Sequence, residues 1–230
     1  MTNAIILCSG GLDSVVTAYY AKEKLRYDDL IILFFDYGQR ALKRERKASE
    51  NCAKKLKARF VEVKLPLILG TSGNLLNKKK SKKILRKDLK DTKEESLKWY
   101  VPHRNLIFLS YAMSLAESFD LRGKGRHDIF VGFKNEGKES FPDTTIEFVS
   151  EINKLRDVTS EKKFDVLAPL IMSDKEDIVL LGKKLGVSLK ETWSCYVGQE
   201  KQCGECLACA LRKEGFRWAN VEDKTDYLAK

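Results

Sequence analysis

Residues 4–14 of the chain, AIILCSGGLDS, contain its clearest structural signal. Ala4–Cys8 is a short unbroken apolar run, which is typical of a strand buried on both faces of a parallel sheet. A turn of serine and glycine follows, and after Asp13 the apolar and small side chains are spaced for a helix that packs back on the sheet. The stretch therefore predicts a strand, a tight turn and a helix, the arrangement in which a nucleotide-binding fold places its anion site.

The same alternation of buried strand and amphipathic helix continues along the chain. Strands are predicted at residues 4–8, 30–35, 59–65, 128–133 and 164–170, and helices after Asp13 and at residues 41–56, 106–121, 144–155 and 175–185. Gly186 is expected to end the last of these helices, because glycine readily adopts the left-handed conformation that follows a helix. We therefore expect an α/β fold with a doubly wound, mostly parallel sheet.

Length and cysteine spacing predict how the chain is organised. The 230 residues, 43% of them hydrophobic, suffice for one α/β domain with an appendage. We predict a nucleotide-binding α/β domain at residues 1–190, interrupted by a long connection at about residues 70–99. A cysteine-rich region at residues 191–230 is expected to depend on a metal more than on a core of its own.

The positive charge of the chain is concentrated in one segment. The formal net charge is +10, and Lys78–Lys98 contains ten basic and four acidic side chains. Such a segment is either a solvated, mobile loop or a contact for an acidic macromolecular partner. Aromatic residues are not interleaved with the basic ones, which argues against single-stranded nucleic acid as that partner.

Hydropathy and cysteine placement bear on location. The longest apolar run, Leu30–Phe35, is far shorter than the ~20 residues that a membrane-spanning helix needs, and no export signal precedes it. Four of the six cysteines crowd into 15 residues, a layout that suits metal binding in a reducing compartment. We therefore expect a cytoplasmic protein without membrane association, and we also expect a homo-oligomer.

The turn after the first strand is a candidate phosphate site. Its glycines are expected to adopt positive φ and to bring successive N–H groups close to phosphate oxygens, while its serines add hydroxyl donors. Asp13 can either cap the helix or help to bind Mg²⁺. The candidate nucleotide-binding residues are Ser9, Gly10, Gly11, Leu12, Asp13 and Ser14.

Four cysteines near the C-terminus form a candidate metal site. Cys195, Cys203, Cys206 and Cys209 supply four thiolates with short spacings, as tetrahedral Zn²⁺ prefers. Since all four positions would be filled by protein, the ion would be structural. A redox-active Cys-x-x-Cys pair is the alternative. Lys201, Arg212 and Lys213 are expected to offset the negative charge of the thiolates.

Residues 9–14 match the complete Ser-Gly-Gly-x-Asp-Ser motif of the PP-loop ATP pyrophosphatase superfamily, which the chain resembles. In that superfamily the loop holds the pyrophosphate end of ATP while a substrate oxygen attacks the α-phosphate. The resemblance implies that this chain adenylates its substrate. AMP then becomes the leaving group, and the loop with Mg²⁺ stabilises charge on the departing pyrophosphate.

Together with the cysteines, further motifs resemble the 7-cyano-7-deazaguanine synthase family over nearly the whole chain. The matching stretches are Asp36–Arg40, Val101–Asn105, Phe108–Ser110, Phe141–Asp143, Pro169–Leu170, Asp174–Ile178, Leu185–Val187, Glu191–Tyr196 and Cys203–Cys209, with Leu211–Arg212 and Gly215–Phe216.

This resemblance implies a reaction and a set of catalytic residues. One ATP activates the carboxylate of 7-carboxy-7-deazaguanine, ammonia converts it to the amide, and a second ATP activates the amide for dehydration to the nitrile. Asp13 would bind Mg²⁺, Lys175 would neutralise phosphate charge in the transition state, and Arg104 would contact phosphate or carboxylate. The implied cofactors are ATP, Mg²⁺ and one structural Zn²⁺ per chain.

The chain also departs from the family pattern on the acceptor side. His103 stands where the family usually has Gly, Ala41 where it commonly has His, and Gly137, Thr144 and Thr145 where it has Asp and Cys-Arg. These departures leave two alternatives open. The chain either joins a deazaguanine carboxylate to a larger amine of protein or RNA, or it is a tRNA-modifying PP-loop ligase.

The two histidines have separate expectations. His103 adjoins the Arg104 turn and can contact ligand or a proton. His127 lies in a Gly-Lys-Gly-Arg-His turn and is predicted to be a solvated loop residue.

Overall fold

A computed structural model of the chain describes residues 2–65, 83–85, 89, 92–134, 141–161 and 163–229. Within these residues the strands are β1 (Asn3–Leu7), β2 (Asp29–Asp36), β3 (Arg59–Lys64), β4 (His127–Val131) and β5 (Val166–Leu167). The helices are α1 (Leu12–Tyr19), α2 (Leu42–Leu56), α3 (Lys93–Leu97), α4 (Arg104–Leu121), α5 (Ile146–Thr159), α6 (Lys175–Lys184) and α7 (Leu207–Trp218). A π-helical turn, Tyr20–Lys24, extends α1, and 3₁₀ turns lie at Pro142–Thr144 and Leu189–Glu191.

The five described strands form one parallel sheet in the order β3-β2-β1-β4-β5. The central strand β1 pairs with β2 on one side and with β4 on the other, in register from Asn3 to Leu7. Since the first two connections run outward from β1 and the chain then crosses to its other side, the carboxyl ends of β1 and β4 flank a topological switch point. The predicted doubly wound, mostly parallel α/β class is confirmed.

Helices cover both faces of the sheet, which explains why β1 is apolar throughout. Along β1 the side chain of Ile6 belongs to the core beneath α1, α2 and α6, whereas Ile5 belongs to the core beneath α4 and α5. Both side chains are fully buried. A strand with two covered faces reads as a continuous apolar run because successive residues alternate between two cores.

The last strand is shorter than residues 164–170 predicted. β5 pairs with β4 only through Val166 and Leu167. Pro169 follows and has no N–H for a ladder hydrogen bond, so the chain leaves the sheet edge in a turn.

Helix α7 lies in the region predicted to be an appendage, yet it contributes to the main core. Phe216 and Ala219 share a buried cluster with Ile178 and Val179 of α6, while Cys195, Cys206 and Cys209 form a small cluster of their own. Where a domain boundary lies, at residue 190 or elsewhere, stays a prediction.

Much of the basic segment falls outside the described residues. Lys78–Lys82, Arg86, Lys87 and Lys90 are among those not described, so the prediction for Lys78–Lys98 is tested only in part. Within the described part, Lys83 pairs with Glu205 at 2.8 Å and Lys98 with Glu95 at 2.8 Å. No helix in the described ranges has the length and apolar character that crossing a bilayer requires.

Candidate functional site

The phosphate loop joins β1 to α1 at the carboxyl edge of the sheet. Gly10 has φ +78°, whereas Gly11 has φ −71° and serves as the N-cap of α1. The expectation of positive φ at both glycines was therefore wrong for Gly11. A Cβ on Gly10 would lie 2.5 Å from the backbone oxygen of Glu45, so the loop rests directly on α2 and only glycine fits there.

Hydroxyl groups brace the loop from within. The N–H of Gly11 donates to Ser9 Oγ at 3.3 Å, and Ser14 Oγ donates to the carbonyl of Gly11 at 3.1 Å. The first N–H groups of α1 have no helical acceptor and point towards the end of the helix, where the dipole also favours an anion. Ser9, Gly11, Leu12, Asp13 and Ser14 line the cavity described below, as the phosphate prediction requires, and Gly10 supports them from behind.

Asp13 and Lys175, two predicted catalytic residues far apart in sequence, are in direct contact. Lys175 Nζ lies 2.8 Å from Asp13 Oδ1 and 2.7 Å from Oδ2. Lys175 is the first residue of α6, which Asp174 and Asp177 begin with a reciprocal capping box. The ammonium group therefore waits beside the phosphate loop, held by the carboxylate that was predicted to bind Mg²⁺.

Arg104 begins α4 on the opposite wall of the cavity. Its Nη1 donates to the hydroxyl of Tyr37 at 3.2 Å, and its guanidinium lies 5.6 Å from the centre of that ring. Burial raises the pKa of Tyr37, so its hydroxyl stays neutral. The preceding residue, His103, is exposed and has φ +55°, a conformation that the glycine usual in the family would adopt without strain.

A carboxyl group that sequence reasoning missed, Glu45, also faces the cavity. Gln39 Nε2 donates to Glu45 Oε2 at 3.0 Å, and the same amide is fixed by the N–H of Tyr37 and the carbonyl of Phe35. Burial raises the pKa of Glu45 to about 7. Helical spacing was the available signal, because Glu45 lies three and four residues before the buried Ala48 and Ser49.

Loop, lysine and arginine meet in one cavity of about 380 Å³. Beyond the phosphate loop its walls are aromatic. The rings of Phe35 and Phe108 stack with centroids 4.1 Å apart, and those of Trp99 and Tyr196 lie 4.8 Å apart. The cavity thus joins an anion site to flat apolar walls, which suits a triphosphate together with a planar heterocycle. Trp99 and Phe35 carried no distinct functional signal in the sequence.

The four C-terminal cysteines converge as predicted. Their Sγ atoms all lie within 4.8 Å of one another, and those of Cys203 and Cys209 are 3.9 Å apart. A tetrahedral ion with metal–sulfur bonds of ~2.3 Å would separate its ligands by about 3.8 Å, so the donor set fits Zn²⁺. Backbone N–H groups of Cys203 and Cys206 donate to Cys195 and Cys203 sulfurs, as expected where thiolates carry charge.

The basic residues near these cysteines are engaged elsewhere. Lys201 pairs with Asp226, and Lys213 donates to the carbonyls of Gly204 and Ala229. Arg212 is buried and bonds Asp223 and Thr192, so it ties the C-terminal segment to the turn after α6. Their predicted role of offsetting thiolate charge is not made by direct contact.

His127 is the residue whose predicted environment was wrong. It is the first residue of β4, it is buried, and its ring lies 4.8 Å from that of Phe119. Its Nδ1 is 2.8 Å from the carbonyl of Gly125. The strand begins one residue before the predicted start, which turns a loop residue into a core one.

The other departures from the family motifs have identifiable places. Ala41 is buried at the start of α2, and Thr144 lines the cavity. Thr145 caps α5 by accepting the N–H of Phe148 at 3.1 Å. Gly137 lies outside the described residues.

Comparison with known proteins agrees with the motif analysis. A family model described as queuosine biosynthesis protein QueC matches residues 3–220. The chain is 37% identical to the 7-cyano-7-deazaguanine synthase of Nitratiruptor sp. over 97% of this chain and 98% of the relative. It is 35% identical to that of Methanobrevibacter smithii (97% of each chain) and 38% identical to that of Methanocaldococcus jannaschii (98% of this chain, 99% of the relative). The resemblance predicted from the motifs is confirmed, and the chain belongs to the queuosine biosynthesis protein QueC family.

Proposed function

We propose that the chain is an ATP-dependent carbon–nitrogen ligase that makes 7-cyano-7-deazaguanine from 7-carboxy-7-deazaguanine and ammonia. The observation that carries the proposal is the shared cavity, in which the phosphate loop and the Asp13–Lys175 pair open onto aromatic walls. Its relatives of near-equal length are named 7-cyano-7-deazaguanine synthase, which supports the same substrate class.

The first half of the reaction is activation of the carboxylate. With the pyrophosphate end of ATP on the N–H groups of the loop, a carboxylate oxygen attacks the α-phosphorus and pyrophosphate leaves, so an acyl adenylate forms. Lys175 is adjacent to the loop and neutralises charge that develops on the phosphates. Arg104, across the cavity, binds the acceptor carboxylate and orients its oxygen.

The second half uses the leaving group that this step creates. Ammonia adds to the acyl carbon, AMP departs and a proton is lost, which gives the amide. The amide oxygen then attacks a second ATP. Loss of AMP and of the remaining nitrogen-bound protons forms the nitrile. Glu45 faces the same cavity with a pKa of about 7, and we propose that it accepts protons from the nitrogen.

Two metals belong to this proposal. Mg²⁺ would be held by Asp13 and the ATP phosphates, and it would supply charge neutralisation on the pyrophosphate. Lys175 must then release Asp13 and turn to the phosphates. Zn²⁺ would be held by Cys195, Cys203, Cys206 and Cys209 as a structural ion.

Location, assembly and macromolecular contacts complete the proposal. We infer a cytoplasmic homo-oligomer whose Lys78–Lys98 segment is a solvated surface in the nitrile-forming reaction. Lys83 and Lys98, the cations of that segment with described ion pairs, bind glutamates of the same chain. Light scattering of the purified protein measures the assembly.

The deciding experiment follows nucleotide and nucleobase products by mass spectrometry. Purified protein is incubated with ATP, Mg²⁺, 7-carboxy-7-deazaguanine and ammonium, and we expect two AMP for each nitrile. AMP with no amide or nitrile, together with transfer of deazaguanine label to added protein or RNA, would establish the larger-amine alternative instead. No ATP cleavage with any deazaguanine would refute both.

A further inference from the structure

Helix α7 carries two features that the proposed chemistry does not use. It begins at the candidate metal centre, with Cys206 as its N-cap and Cys209 in its first turn. Two turns further along, the buried Gly215 meets the start of α6. The helix therefore runs from the cysteine cluster to the residue proposed to neutralise phosphate charge.

Gly215 is packed against the stem of Lys175. A Cβ built on Gly215 would lie 2.2 Å from Lys175 Cγ, 3.0 Å from its Cβ and 3.3 Å from its backbone carbonyl carbon. These atoms are the root of the lysine side chain and the backbone of α6, which cannot give way as a flexible chain end can. Space for the lysine stem therefore exists only because residue 215 has no side chain.

The position of the stem decides where the ammonium group can reach. A lysine side chain is flexible, with several rotamers of similar energy. Here it lies in the gap beside Gly215 and extends to Asp13, and only 19% of its surface remains exposed. A methyl group in the gap would force another rotamer and move Nζ away from the phosphate loop.

We propose that Gly215 is a positioning residue for Lys175, and that α7 thereby couples the cysteine cluster to the ATP site. This inference rests on the proposed function, because Lys175 acts on phosphate there. It predicts an effect opposite to the usual one, since replacing a helical glycine by alanine ordinarily stabilises a helix without other consequence.

Gly215→Ala tests the inference in the zinc-loaded, full-length protein. We expect kcat for AMP formation to fall roughly 10- to 100-fold, with the KM for ATP changed far less and with bound zinc and thermal stability retained. Arg217→Ala, on the exposed side of the same helix, is the matched control and should leave turnover unchanged. Equal turnover in Gly215→Ala and the natural protein would overturn the proposal.

A second measurement does not depend on activity. Brief acetylation followed by peptide mass spectrometry reports how accessible each lysine is. Lys175 should react several-fold faster in Gly215→Ala because its ion pair with Asp13 is broken, while lysines elsewhere should react as before. An unchanged rate at Lys175 would contradict the packing argument.

A double-mutant cycle separates positioning from general damage. Once Lys175→Ala has removed the stem, adding Gly215→Ala should change turnover less than about twofold. A further loss equal to that of the single variant would overturn the inference. Normal turnover in Lys175→Ala alone would instead refute the proposed role of Lys175, and it would do so before Gly215 is touched.

Discussion

Replacing Gly10 by alanine tests how the phosphate loop is supported. The residue has φ +78°, and its new Cβ would lie 2.5 Å from Glu45 O, 2.7 Å from Ala48 Cβ and 2.9 Å from Ser49 N. A left-handed conformation costs a non-glycine residue about 1–2 kcal/mol, and an overpacked site costs about 1–3 kcal/mol. We therefore expect Gly10→Ala to lower the free energy of unfolding by about 2–5 kcal/mol.

Gly11→Ala is the matched control beside it. Gly11 has φ −71°, and its Cβ would approach only Ser9 Oγ at 3.2 Å and Trp193 O at 3.7 Å. Exchange of glycine for alanine at an N-cap should cost less than about 1 kcal/mol. Its methyl group would nevertheless enter the loop cavity, so this variant should fold normally and bind ATP weakly.

Urea unfolding and calorimetric titration with ATP and Mg²⁺ measure the two effects separately. The loss in Gly10→Ala is a large part of the 5–15 kcal/mol that stabilises a typical domain. If Gly10→Ala unfolds at the same urea concentration as the natural protein, the packing argument is refuted. If both variants lose the same stability, the distinction between the two glycines is refuted.

Three further variants probe the remaining groups. Cys206→Ser should lose the bound metal and several kcal/mol of stability, because a closed thiolate site contributes folding free energy; metal analysis that finds no zinc in the natural protein would contradict this. Asp13→Ala should lower ATP turnover at least ~100-fold while leaving the circular dichroism spectrum unchanged, and normal turnover would exclude the proposed role of this carboxylate. Glu45 has its pKa raised from 4.5 to about 7 by burial, so folding favours its protonated form and stability falls as the pH rises between these values. The loss amounts to at most about 3 kcal/mol, and urea unfolding at pH 5 and pH 8 should show it in the natural protein but to a smaller extent in Glu45→Gln.

The sequence by itself was sufficient for the parts of this protein whose cause is local. The run Ala4–Cys8 and the motif at residues 9–14 predict strand, turn and helix, because burial on two faces and a glycine turn are properties of neighbouring residues. The cysteine cluster is similar, since short spacings alone bring Cys203, Cys206 and Cys209 together.

Only the tertiary structure decided which distant groups meet. The contact of Lys175 with Asp13 spans 162 residues, and the fit of Lys175 beside Gly215 depends on how α6 packs against α7. The same holds for Gly10, whose need for positive φ comes from the backbone of α2 behind it, and for His127, whose burial depends on Phe119. In each case the deciding quantity is the space left by a neighbour far along the chain, and local sequence carries no record of that space.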